Sequence, residues 1–168
     1  MLELEADFKG RKPFNCDIIL DAALVMEETR WSTLIHEGLH TLSAGYIGVD
    51  YRDFRGYEEG VVERLQRLLR PWVLERLGVV VPAESFLPDE EKHRYNVYIA
   101  ALEEICRALA VEETPAARET FYRDLLAIPI RSRSVYLLGL GFRLPEEKRK
   151  DFLVTYSAAN AVLTRSRA

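Results

Sequence analysis

The N-terminal residues alternate strictly between apolar and acidic side chains. Over residues 2–8 the apolar positions run from Leu2 to Phe8 at every second residue, which is the period of a half-buried β-strand. The apolar run at 16–20 predicts a second strand that pairs with the first, and the run at 22–26 is a candidate third strand. This part of the chain therefore predicts a small antiparallel sheet.

From residue 30 onward the apolar positions recur with the period of an α-helix. A first helix is predicted to begin near Arg30 and to end before Gly45, a residue type that commonly follows a helix. A second helix is predicted over residues 57–77, where Pro71 should kink or break it. The apolar stripe of the first helix consists of Trp31, Ile35, Leu39 and Leu42.

Three further helices are predicted. The third is capped by Asp89 or a neighbour, the fourth starts at Thr114–Pro115, and the fifth starts at Pro145. The core-facing stripe of the third helix is Tyr95, Tyr98, Leu102, Ile105 and Leu109. Residues 135–142 contain two glycines and predict a strand or a tight turn. We therefore expect a single α+β domain over residues 1–168, with the small N-terminal antiparallel sheet packed beside a predominantly helical body.

The first helix carries a pattern with specific metal chemistry. His36 and His40 are four residues apart, and because four residues span about 400° of an α-helix, both imidazoles leave one face a turn apart. Two such imidazoles suit one tetrahedral zinc ion. Glu37 lies about 100° round the helix, where its carboxylate can reach a zinc-activated water and act as a general base.

A catalytic zinc site needs a third protein ligand and keeps its fourth position open. The best candidate is Glu59, near the start of the second helix, and the 18 residues 41–58 separate it from His40. Glu58 is the adjacent alternative, and either carboxylate would also be favoured near a helix N-terminus by the macrodipole. The expected cofactor is one zinc ion per chain.

Residues 36–40 form the motif HExxH, in which x is any residue. With this motif, the 18-residue gap and the glycine that follows Glu59, the chain resembles the gluzincin metallopeptidases, the thermolysin-like and aminopeptidase-like group. The resemblance covers roughly residues 25–65. It implies a zincin-like fold, in a minimal single-domain form, and hydrolysis of peptide bonds. The residues to which it assigns roles are the zinc ligands His36, His40 and Glu59 and the base Glu37.

Three other positions bear on the predicted site. Glu63 matches a position that is often acidic in the gluzincins, and it can either orient a zinc-bound imidazole or pair with Arg67 one turn on. Tyr122 and Tyr136 are candidates for polarising the scissile carbonyl. His93 is expected at a solvent-exposed position outside the site.

Composition narrows the class of protein. The 168 residues carry a net charge of -4 with a pI near 5.5, so they lack the basic footprint of a nucleic-acid-binding face. No segment approaches membrane-spanning length, and the N-terminus lacks a signal-peptide pattern. The two cysteines, Cys16 and Cys106, form no disulfide framework, and Cys106 is expected to be a buried, inert thiol. We expect a cytoplasmic protein that binds neither nucleic acid nor membranes, with the oligomeric state left open.

The predicted function is zinc-dependent hydrolysis of a peptide or protein substrate. One alternative is a zinc-binding regulatory or interaction protein that keeps the fold with little or no peptidase activity. Another is an intracellular protease of the HExxH type that cleaves transcriptional repressors, although the gap after the motif is usually longer in that family. A purely structural helical domain would bind no metal.

Overall fold

A computed structural model of the chain describes residues 10–11 and 18–164. Within these residues the secondary structure is dominated by eight α-helices, joined by short connections that include 3₁₀ turns. None of these helices combines the length and the apolar character that a membrane crossing requires. The helices are α1 (Arg30–Leu42), α2 (Gly48–Asp53), α3 (Arg55–Arg76), α4 (Leu87–Glu91), α5 (Asn96–Ala108), α6 (Pro115–Ala127), α7 (Arg133–Gly141) and α8 (Glu146–Leu163).

The predicted α+β fold is wrong, because the described residues form an all-helical structure. Their only strands are β1 (Gly10–Arg11) and β2 (Ile19–Leu20), which make one antiparallel pair. The predicted third strand at 22–26 is a 3₁₀ turn. Asp21 caps this turn by accepting a hydrogen bond from the backbone N–H two residues on, so the chain coils where a strand would extend. Residues 2–8, on which the first strand was predicted, lie outside the described residues.

Residues 135–142, predicted as a strand or a tight turn, are helical over most of their length in α7. The buried residues Arg133, Leu137 and Gly141 recur at every fourth position, which is a helical period. A Cβ at Gly141 would lie 1.8 Å from the ring of Phe152 in α8. This glycine therefore marks a close contact between two helices.

Among the predicted helix starts, one is wrong and one is confirmed. Asp89 lies inside the short helix α4, and the helix with the apolar stripe begins later, at Asn96. Of the two effects predicted for Pro71, a kink or a break, the break does not occur, because the chain stays helical to the end of α3. The start at Thr114 is confirmed, because its hydroxyl accepts a hydrogen bond from the N–H of Ala117 and thereby caps α6.

The helix α3 lies at the centre of the fold. It packs against α1, α5, α6 and α8, and α5 in turn packs against α8. Two glycines of α3 allow close approaches to its neighbours: a Cβ at Gly56 would lie 2.6 Å from the backbone of Leu163, and one at Gly60 would lie 2.8 Å from the side chain of Leu102. With α3 held in this way, its acidic residues meet α1; they are Glu58, Glu59 and Glu63.

Candidate metal centre

The buried face of α1 is polar at its centre. His36, Glu37 and His40 are 8%, 6% and 3% exposed, whereas Leu42, a member of the predicted apolar stripe, is 69% exposed. Within the predicted stripe, Leu39 is buried and Ile35 packs against the hydrophobic core, so the stripe does not extend to Leu42. Because burial of ionisable groups is costly unless they are paired, these side chains require partners across the helix interface.

The partners lie on α3, which runs antiparallel to α1 at this point. His40, near the end of α1, faces Glu58 and Glu59 at the start of α3. His36, one turn earlier, faces Glu59 and Glu63, one turn later. Residues four apart lie on one face of an α-helix. The face of α1 that carries the two histidines therefore packs against the face of α3 that carries the glutamates.

Three potential ligand atoms converge between these helices. His36 Nε2 is 3.2 Å from Glu59 Oε2 and 3.2 Å from His40 Nε2, and His40 Nε2 is 3.5 Å from Glu59 Oε2. A tetrahedral zinc ion with bonds of about 2.0–2.1 Å holds its ligand atoms about 3.4 Å apart. The triangle therefore has the edges expected for three corners of a zinc tetrahedron, and the group could hold a metal ion.

Both imidazoles are anchored through their other ring nitrogen. His36 Nδ1 is 2.9 Å from Glu63 Oε2, and His40 Nδ1 is 2.6 Å from Glu58 Oε1. In a neutral imidazole, a carboxylate that accepts the Nδ1–H leaves the Nε2 lone pair available to a metal ion at the triangle. Glu63 also accepts a hydrogen bond from Arg67 Nε at 2.8 Å, so both contacts weighed for it from the sequence are present. Glu58, the alternative ligand, lies behind His40.

Glu58 is held by groups that sequence reasoning missed. Its Oε2 accepts hydrogen bonds from Arg133 Nη1 at 2.6 Å and from Ser43 Oγ at 2.7 Å. Arg133 Nη2 also donates to Ser43 Oγ at 2.7 Å. Arg133 follows Glu58 by 75 residues and has no motif of its own, so no local signal in the sequence indicated this contact.

Three tyrosines surround the triangle, and none of them was selected from the sequence. Tyr46 packs its ring on His40, with ring centroids 4.9 Å apart. Tyr95 packs its ring on His36, with ring centroids 5.9 Å apart. Tyr51 donates a hydrogen bond from its hydroxyl to Glu59 Oε1.

The two tyrosines that were selected have other surroundings. Tyr122 is buried and donates to Glu103 Oε1 at 3.0 Å, and Tyr136 packs against the hydrophobic core. His93, expected to be exposed, is partly buried, and its Nδ1 lies 3.9 Å from Glu63 Oε1. It therefore lies beside the carboxylate that anchors His36, outside the triangle.

The buried glutamates of α3 shift the pKa values of the side chains around them. Burial opposes protonation of His36, but its hydrogen bonds to Glu59 and Glu63 outweigh burial and raise its pKa to about 10. Burial would raise the pKa of Glu59, yet hydrogen bonds from His36 and His40 hold that pKa well below its usual value. Burial and the charge of Glu59 raise the pKa of Tyr51. The site thus favours positive charge between the two helices.

Glu37 contributes to the same field. Burial raises the pKa of the Tyr46 hydroxyl, and the charges of Glu59, Glu58 and Glu37 raise it further. The predicted general base is itself buried on α1, between the two histidines in sequence.

Comparisons with protein-family models, curated proteins and solved structures find no match for this chain. The gluzincin resemblance accordingly remains one of motif and spacing. The helices that surround the triangle also differ from the zincin-like α+β fold that the resemblance implied.

Proposed function

We propose that this protein is a zinc-dependent hydrolase that cleaves peptide bonds, with Glu37 as general base. The observation that carries the proposal is the triangle of His36 Nε2, His40 Nε2 and Glu59 Oε2, with edges of 3.2–3.5 Å. Two imidazoles and one carboxylate are a ligand set of catalytic zinc sites, which keep a fourth position for water or substrate. A zinc ion held there would supply Lewis acidity, polarising a carbonyl and making a water acidic enough to ionise near neutral pH.

The protein's own groups would then orient the site and move the proton. Glu58 and Glu63 fix the two imidazoles, which is the contribution of outer carboxylates in metal sites. Glu37 takes a proton from the attacking water and returns it to the leaving amine. Tyr46 replaces Tyr122 and Tyr136 as the candidate donor to the developing oxyanion, because its ring packs on the candidate ligand His40 at a centroid distance of 4.9 Å.

The metal is tested by zinc content. Purified wild type should hold about one zinc ion per chain, and His36→Ala and Glu59→Gln should lose most of it. Glu75→Gln, at an exposed position on α3, is the matched control for Glu59→Gln and should keep its zinc. A wild type that cannot be loaded with zinc would overturn the proposal, and loss of zinc in Glu58→Gln but not in Glu59→Gln would reassign the third ligand.

The reaction is tested by Glu37→Gln. Loss of a general base should lower kcat about 10²- to 10⁴-fold, while zinc content stays at that of wild type. Hydrolysis of a peptide library by the zinc-loaded protein is the measurement. An equal rate in wild type and Glu37→Gln would rule out the assigned base.

A regulatory zinc protein is the second candidate, and the burial of the site favours it. The three ligand side chains are between 3% and 11% exposed, which restricts the access of a large substrate. If the protein is a regulatory zinc protein, it should bind zinc and cleave no library peptide, and its biological effect should persist in Glu37→Gln. Peptide turnover that depends on Glu37 would exclude it.

A further inference from the structure

Two guanidinium groups converge on one phenol oxygen beside the candidate metal centre. Arg94 Nη2 donates to the Tyr95 hydroxyl at 2.9 Å, and Arg55 Nη2 donates to the same oxygen at 3.4 Å. Like charges brought this close usually share a carboxylate. Over residues 10–11 and 18–164, Arg94 forms no ion pair, and the carboxylate nearest to Arg55 is Glu59, at 3.8 Å from its Nε.

These groups have more hydrogen-bond donors than acceptors. Each guanidinium has five N–H donors and no acceptor, and the Nε of Arg55 is buried without a hydrogen-bond partner in the described structure. The Tyr95 oxygen already accepts two hydrogen bonds, so its own proton must point elsewhere, and Tyr95 is only 7% exposed. Three groups with spare N–H and O–H donors therefore lie around one point, an arrangement that suits an anion.

The cluster adjoins the triangle of candidate ligands. The Tyr95 ring stacks on His36 at 5.9 Å, and Arg55 Nε faces Oε1 of the carboxylate whose Oε2 is a corner of the triangle. One extended residue spans about 3.3–3.6 Å, which is close to the 3.8 Å between Arg55 Nε and Glu59 Oε1, so Arg55 lies within reach of the residue next to a bond cleaved at the metal. The Arg55 side chain is 42% exposed and Arg94 is exposed, so solvent reaches the cluster.

We propose that Arg55, Arg94 and Tyr95 form a subsite that binds a carboxylate of the substrate. Guanidinium groups bind carboxylates through charge-assisted, often bidentate hydrogen bonds, and a phenol adds a further donor. The substrate class is therefore a peptide with a carboxylate next to the scissile bond, either the chain terminus or an acidic side chain. This inference rests on the proposed function, because it assumes that the bond is cleaved at the triangle.

The first test measures binding without turnover, in zinc-loaded Glu37→Gln protein. The probes are acetyl-Ala-Ala-Ala with a free or an amidated C-terminus, and amidated acetyl-Ala-Glu-Ala against acetyl-Ala-Gln-Ala. The acidic member of one pair should bind about tenfold or more tightly than its neutral partner. A preference within the first pair assigns the chain terminus, and one within the second assigns a side chain. Equal affinity within both pairs overturns the proposal.

The second test assigns the preference to residues. Arg94→Gln and Tyr95→Phe, which keeps the ring on His36, should each reduce the preference for the acidic probe and leave the affinity for the neutral probe unchanged. Arg107→Gln is the matched control, because Arg107 is exposed and pairs only with Glu104 on α5 among the described residues. Its replacement changes the net charge by the same amount as Arg94→Gln. If Arg94→Gln and Arg107→Gln weaken binding equally, the effect is general electrostatics and the subsite fails.

The two proposals fail in distinguishable ways. A protein that binds zinc and cleaves acidic and neutral peptides at equal kcat/KM is a hydrolase without this subsite. A protein that binds no zinc but prefers acidic probes, and loses that preference in Arg94→Gln and not in Arg107→Gln, has the anion site without the proposed activity.

Discussion

Arg133 Nη1 lies 2.6 Å from Glu58 Oε2, and both side chains are fully buried. The other oxygen of Glu58 lies 2.6 Å from His40 Nδ1. One ion pair therefore connects α7 to a candidate zinc ligand on α1 through a carboxylate on α3. An ion pair that is removed from water has a large effect when one partner is deleted, because the other charge stays buried without compensation.

Replacement of Arg133 should accordingly destabilise the fold strongly. We expect Arg133→Met to lower the free energy of unfolding by about 3–5 kcal/mol, measured by urea denaturation. Arg107→Met is the control, because Arg107 pairs with Glu104 at the surface, where an ion pair contributes about 1 kcal/mol or less. Similar losses in the two variants would contradict the buried pairing.

The carboxylates behind the histidines should set zinc affinity. Glu63→Gln and Glu58→Gln each weaken the acceptor of an Nδ1–H, and loss of such a partner typically costs about 10- to 100-fold in metal affinity. Competition with a chelator of known zinc affinity measures the change. Glu75→Gln, an exposed position on the same helix, should bind zinc like wild type. Unchanged affinity in both inner variants would show that these contacts do not support the metal.

Two glycine substitutions should have opposite effects on stability. A Cβ at Gly38, in the middle of α1, meets nothing within 4 Å, whereas one at Gly56 lies 2.6 Å from the backbone of Leu163. Gly38→Ala should stabilise the protein by up to about 1 kcal/mol through helix propensity. Gly56→Ala should destabilise it by about 1–3 kcal/mol through overpacking of α3 against α8. Thermal unfolding of the two variants compares them directly, and a stabilising Gly56→Ala would contradict the packing described.

The thiol of Cys106 should be inert in the folded protein. Burial and the nearby Glu103 raise the pKa of this thiol to about 12, so almost no reactive thiolate exists at pH 8. A Cys16→Ser variant should react with a thiol reagent only after urea unfolding. Because the folded pKa lies above that of the unfolded chain, this group's contribution to stability is present below about pH 9 and is lost as the pH rises towards 12. Rapid labelling of the native variant at pH 8 would contradict the burial.

The sequence by itself predicted the three candidate metal ligands, which are His36, His40 and Glu59. Helical periodicity is local, so the four-residue spacing of His36 and His40 was sufficient to place both imidazoles on one face. Glu59 and Glu63 share a face of the next helix for the same reason, and the structure brings Glu59 to both histidines. The helix starts at Thr114 and after Pro145 were likewise predictable, because a hydroxyl cap and the fixed φ of proline both act within one turn.

Only the tertiary structure decided which groups surround that site and how the chain folds around it. A short apolar run such as 22–26 suits either a strand or a 3₁₀ turn, and local capping and packing selected the turn. The contacts of Arg133 with Glu58 and of Tyr95 with His36 join residues far apart in sequence. Such contacts depend on how whole helices pack, and the local spacing of residue types does not encode them. The same packing made the buried face of α1 polar, because histidines and glutamates that neutralise one another across an interface can replace an apolar stripe.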